Sequence, residues 1–260
     1  MGRSYYIASC VFTSRFPALS LRIQDCVTAR FGMPVVRCCV PRYKLAEFES
    51  RMPEGDCRER WRALPDSGDF SAGDDVYSLC HNCNNIIEEM HPGVRVHSLW
   101  ELIDGDPSFP LPDRAGLSVT VQDCWRARDR AAEQDAVRSL LHKMNIDVTE
   151  LPGRREDVRF CGNSLYRAQP PRNPRLAPKH YVEGAEGLFI PRSEEEQRRL
   201  MLEYCARFTL KRWSATATTV LRVSLWAALT EYISQACFLI DFSHHFPAKE
   251  DRLNGTEQQY

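Results

Sequence analysis

At 260 residues the chain has room for one large or two small domains and can bury a core without covalent staples. Its 34 Lys and Arg against 35 Asp and Glu leave a net charge of −1, which gives no support to a nucleic-acid surface or a polybasic membrane patch. Eleven cysteines, an odd count, oppose a fully paired disulfide framework, and residues 1–6 show no signal-peptide core, so a reducing cytoplasm is expected.

Residues 5–9 (Tyr-Tyr-Ile-Ala-Ser) read as a short strand that delivers Cys10. Leu19, Leu21, Ile23, Val27 and Phe31 fall at roughly helical spacing and predict a helix over 16–31, stopped by Gly32. Residues 34–37 form a second strand and hand over Cys38 and Cys39. A helix is expected at 44–51, then a polar surface excursion at 53–75 that holds Cys57. Residues 76–79 make a third strand ending at Cys80, and Cys83 opens a helix over 84–90. A short strand at 94–97 and a helix from 99 to 103 complete this half.

Residues 104–116, rich in Pro, Gly and Asp, read as a linker. The plan then restarts. Residues 117–122 are a strand delivering Cys124, and 125–144 an amphipathic helix with Ala127, Ala131, Val137, Leu140 and Leu141 inward. Residues 146–151 lead towards Phe160-Cys161-Gly162, 168–179 form a proline-rich loop, and 193–208 a helix. The expected fold class is α/β, with two tandem similar halves at 1–105 and 106–210. Each half is a small, mainly parallel sheet with flanking helices and cysteines at the carboxyl ends of strands. The remaining residues, 211–260, are set apart as a doubtful tail. The longest apolar run, 219–242, is interrupted by Arg222, Glu231 and Asp241 and makes a poor membrane span.

The cysteines carry the chemistry. Their order is a lone Cys10, the pair Cys38-Cys39 and Cys80-x-x-Cys83, after which Cys124 and Cys161 begin the same order again. Parallel strands collect their carboxyl ends along one edge, so residues distant in sequence can meet there. Five soft thiolates at one point suit an iron–sulfur cluster, and four suffice for zinc. Cys26 and Cys57 read as buried small hydrophobes. His81, His91 and His97 lie near Cys80, yet nothing resembles an oxyanion-hole or nucleophile motif, which weakens a cysteine hydrolase.

The words Cys38-Cys39-Val40-Pro41, Ser78-Leu79-Cys80-His81-Asn82-Cys83, Gln122-Asp123-Cys124-Trp125 and Phe160-Cys161-Gly162 resemble the cysteine-rich CCG domain pair found in heterodisulfide reductase and in related iron–sulfur redox proteins. The likeness spans residues 5–162. It implies a [4Fe-4S] assembly of the noncubane kind, ligated by Cys10, Cys38, Cys39, Cys80 and Cys83. It implies an oxidoreductase subunit that transfers electrons, with an iron–sulfur or flavin partner subunit, and that extends to thiol or disulfide reduction. No nucleic-acid partner and no direct membrane span are expected. The alternative is a zinc-stabilised structural or interaction module without redox activity. Two positions depart from the pattern: Phe160 replaces the first cysteine of the second pair, and no second Cys-x-x-Cys follows Cys161.

The tail offers an origin for that gap. When each codon's last base is joined to the next codon's first two, residues 214–220 read NGC-NAC-NGC-NAC-NAC-NGT, which permits Cys-Tyr-Cys-Asn-Tyr-Cys. The expectation is that the chain from about Lys211 is an out-of-frame translation. With the frame restored, Cys124 and Cys161 would gain a Cys-x-x-Cys and hold zinc or a second cluster.

Overall fold

Parallel pairing organises the molecule, a computed structural model that describes residues 2–66, 69–159, 161, 164–205 and 213–215. In chain order the first ten elements are β1 (Ser4–Ile7), α1 (Cys10–Arg15), α2 (Pro17–Phe31), β2 (Val35–Val36), α3 (Leu45–Ser50), α4 (Asp56–Ala63), β3 (Asp75–Ser78), α5 (His81–Met90), β4 (Arg95–Ser98) and α6 (Leu99–Asp104). Then come β5 (Ser118–Gln122), a 3-10 turn at Trp125–Ala127, α7 (Ala131–Lys143), β6 (Asp147–Glu150), α8 (Arg172–Leu176), α9 (Pro178–Tyr181), α10 (Glu194–Cys205) and β7 (Trp213–Ala215). The class is α/β, as the alternation of short apolar runs with helical patterns requires.

The first sheet has the order β2-β1-β3-β4 and the second β6-β5-β7, with every pair parallel. Both share one plan. A central first strand sends the chain outward on one side and receives it back on the other, so a crevice opens beyond the carboxyl ends of β1 and β3. The registers agree as well. Ile7 pairs with Ser78, and Val121, the same three residues before its cysteine, pairs with Ser214. β7 therefore lies past the expected boundary at 210 and joins the second half's sheet.

The two sheets share a core. Tyr6, Ile23, Leu99 and Trp100 from the first half pack in one cluster with Val119, Val121, Val137, Leu140 and Leu141 from the second. At roughly 1.5–3 kcal/mol for each buried large apolar side chain, this seam is a major source of cohesion. Gly32 ends α2 at φ 65, a left-handed conformation that costs glycine little. α6 starts at a capping box, in which Ser98 Oγ accepts from Glu101 N and Glu101 Oε1 from Ser98 N.

Several expectations need correction. The excursion at 53–75 contains α4, whose Cys57 and Trp61, four apart, are buried against Cys10 and Cys38. A polar composition concealed a helix with one narrow apolar stripe. The helix expected at 125–144 breaks at residues 128–130 between the 3-10 turn and α7, which leaves Ala131 exposed while Ala136 turns inward. The proline-rich stretch holds α8 and α9; Pro178 sits in the first turn of α9, where a missing N–H costs nothing. Trp213–Ala215, read as neither strand nor loop, pairs with β5.

Candidate thiol centre at the carboxyl edge of the first sheet

The first half brings its five motif cysteines to one edge. Cys10 opens α1, three residues past β1; Cys38 and Cys39 follow β2; Cys80 follows β3, and Cys83 lies in the first turn of α5. All five are buried. Cys10 Sγ lies 3.0 Å from Cys38 Sγ. Cys83 hydrogen-bonds through sulfur to both Cys39 and Cys80, and Cys39 acts electrostatically on Cys10, which links the two groups.

Local backbone fixes this meeting. Ser9 holds φ 61 just before Cys10, and Arg42 and Lys44 hold φ 57 and 48 in the turn after Cys39. Such left-handed non-glycine residues cost energy and concentrate at functional sites. Ser78 Oγ accepts from Cys80 N at 3.1 Å and donates to Asn84 Oδ1 at 2.5 Å, tying the end of β3 to α5.

Charge is distributed unevenly among the thiols. The Cys83 thiol donates to Cys80, and together with the Cys83 backbone N–H, the Ser9 hydroxyl and the Arg172 charge it outweighs burial, bringing Cys80 down to about 5. Cys83 is pushed up by its hydrogen bonds to Cys39 and Cys80 and by burial, and Cys10 is raised by its bond to Cys38. A thiolate at the start of α5 also faces the positive end of that helix. Arg172, stacked 4.0 Å from the Tyr43 ring centroid, adds positive charge that Cys39, Cys83 and Cys80 feel.

Two cavities approach the thiols. Asn82, between Cys80 and Cys83, lines one of about 360 Å³ with Arg15, Lys44, Glu47, Arg51 and Arg172. Cys39 lines another of about 320 Å³ with Pro41, Phe70 and His91. The histidines near the motif have other duties: His97 Nε2 lies 2.9 Å from Asp75 Oδ1, and the His97 ring stacks on Tyr77.

In the second half, Cys124 Sγ lies 3.1 Å from Cys161 Sγ, and Arg126 Nη1 donates to Cys161 Sγ at 2.7 Å. Phe160 and the tail from 216 to 260 lie outside the described residues. Sequence reading missed Arg126, Arg172 and Ser9. Arg172 lies beyond the repeat, and only the folded chain places it beside Cys39.

Among the described residues, no three or more His, Cys, Asp or Glu side chains are grouped to hold a single metal ion. The donor set itself, five sulfurs beside an arginine and a helix N-terminus, fits an anionic iron–sulfur body in kind. No helix among the described residues is long and apolar enough to cross a membrane. Comparison with protein-family models, curated proteins and solved structures finds no match.

Proposed function

We propose that the chain is an iron–sulfur redox protein or subunit, with Cys10, Cys38, Cys39, Cys80 and Cys83 holding a [4Fe-4S] cluster of the noncubane kind. The observation that carries this reading is the meeting of five buried cysteines from three separate strand ends. Zinc needs four thiolates; the fifth is useful where several irons are bridged. A bound cluster would supply one-electron chemistry, delivered to or taken from an iron–sulfur or flavin partner and extending to a thiol or disulfide substrate.

The chain's own residues do the rest. Cys80, already biased to the thiolate, needs no proton loss on ligation near neutral pH. Arg172 and the α5 N-terminus offset the negative charge of an anionic centre. Burial keeps water from the sulfurs. The cavity beside Asn82 carries four cationic side chains and one carboxylate, so it favours an anionic approach. We further propose that the chain from about Lys211 is read out of frame, so that the second half lacks a Cys-x-x-Cys it would otherwise carry.

Anaerobic purification followed by iron, sulfide and zinc analysis tests the main reading. Iron with acid-labile sulfide supports it; a stoichiometric zinc with neither iron nor sulfide replaces it by the zinc-stabilised module.

A further inference from the structure

The second half carries its own buried thiol pair, and a charged side chain bears directly upon it. Cys124 and Cys161 hold their sulfurs 3.1 Å apart, and Arg126 Nη1 donates to Cys161 Sγ at 2.7 Å. Arg126 is only 6% exposed, and its guanidinium lies 5.4 Å from the Phe189 ring centroid. The Arg126 carbonyl is anchored by Asn85 Nδ2 at 3.0 Å. A guanidinium fixed against one sulfur is a strong, charge-assisted donor to it. The pair thus differs from the Cys10–Cys38 contact in that one of its two sulfurs faces a buried cation.

We propose that Cys124 and Cys161 form a dithiol/disulfide couple, oxidised by small-molecule disulfides of the glutathione class and reset by the corresponding thiols. The sulfurs need to close from 3.1 Å to the roughly 2.05 Å of a disulfide. In the opened state Cys161 Sγ attacks the reagent disulfide RSSR; the reagent S–S bond breaks, and the leaving RS⁻ takes the Cys161 proton, which leaves a Cys161–SR mixed disulfide and RSH. Cys124 Sγ then attacks Cys161 Sγ in the mixed disulfide and expels the second RS⁻. That RS⁻ takes the Cys124 proton, so the two thiols and RSSR give the protein disulfide and two RSH, with two electrons passing from the cysteine sulfurs to the reagent.

Cys124 and Cys161 are 2% and 1% exposed, so exchange proceeds through local opening and reports the steady redox poise. Arg126 sets that poise. Its hydrogen bond is made to the reduced Cys161 sulfur and weakens when that sulfur enters a disulfide, a poorer acceptor, so the reduced form is favoured and the couple is oxidising.

The experiment equilibrates the full chain anaerobically in graded reduced and oxidised glutathione, quenches with acid, alkylates and maps peptides by mass. A cross-linked Cys124–Cys161 peptide is expected to appear as the poise rises, with Cys26 and Cys57 alkylated throughout. Arg126→Gln should move the half-oxidation point about tenfold towards the disulfide, about 30 mV for two electrons. Arg126→Lys, which keeps a cation, should stay within about threefold of the parent and serves if the glutamine variant does not fold. Three outcomes overturn the proposal: no such peptide at any ratio in a folded chain, an unmoved half-oxidation point in a folded Arg126→Gln, or an iron or zinc equivalent lost specifically from Cys161→Ser.

Discussion

His81 Nε2 lies 2.8 Å from Glu133 Oε1, and both side chains are almost wholly buried. This contact joins the Cys80–Cys83 turn to α7, so the first half's thiol turn is held by the second half. Burial opposes protonation of His81, but the Glu133 carboxylate outweighs it and raises His81. Nearby, Asn85 of α5 accepts from Arg130 at 2.9 Å, and Tyr181 donates to Asn82 Oδ1 at 2.5 Å. Glu133→Gln should therefore lower stability by about 1–3 kcal/mol, read from urea midpoints, with most of the loss appearing below neutral pH, where His81 is charged in the parent. An equal loss at pH 6 and pH 9 would contradict a charged pair.

Cys39→Ser and Cys83→Ser should each abolish most of the iron, because a hard hydroxyl replaces a soft thiolate. Cys26→Ala and Cys57→Ala should keep it, since Cys26 lies in the shared core and Cys57 packs behind Cys10 without being among the five. Iron content per folded chain decides this. Equal loss from all four would refute the ligand assignment.

Arg138 is buried between two carboxylates, with Asp123 Oδ2 at 2.8 Å and Glu150 Oε2 at 2.7 Å. It clamps β6 and the turn before Cys124 onto α7. Arg138→Ala removes the guanidinium from the buried Asp123 carboxyl, so a loss of about 3–5 kcal/mol is expected from denaturant unfolding. A loss below about 1 kcal/mol would mean that the clamp contributes nothing.

His180 packs against Trp125, and burial, aided by the Arg128 charge, lowers it to about 4. Its depressed folded value means that the unfolded chain takes up a proton first as pH falls. This contribution is complete above about pH 6.5 and is lost progressively towards pH 4. His180→Phe should flatten that acid limb of the stability curve. An unchanged limb in the variant would place the acid sensitivity elsewhere.

How much of this was legible followed from how local each signal was. β1 and β3 announced themselves because each short apolar run ends at a cysteine, and the parallel sheet followed from alternation with helices. α4 stayed hidden because its buried side chains are only Cys57 and Trp61. The break before α7 went unread because Arg126 and Arg130, polar by composition, are committed to contacts with Cys161 and Asn85 that no sequence window contains. The five cysteines were recognisable as a set, whereas the arginine charges around them depend on tertiary placement alone.

The frame reading can be placed on the register of β7. Cys80 stands two residues past Ser78, and two residues past the equivalent Ser214 stands Thr216, with Thr219 three further on, as Cys83 follows Cys80. The shifted Cys-x-x-Cys begins in these same two codons. The nucleotide sequence should therefore show TGY across the 214/215, 216/217 and 219/220 codon junctions; other bases there remove the frameshift. In the restored frame the chain should bind a second metal or cluster and gain stability through that linkage.

The most direct test of the central claim is iron and acid-labile sulfide analysis, with an absorption spectrum, on the anaerobically purified chain. About four irons and matching sulfide per chain are expected, with visible charge-transfer absorption that Cys83→Ser removes. A colourless protein without iron, folded and stable, would contradict it.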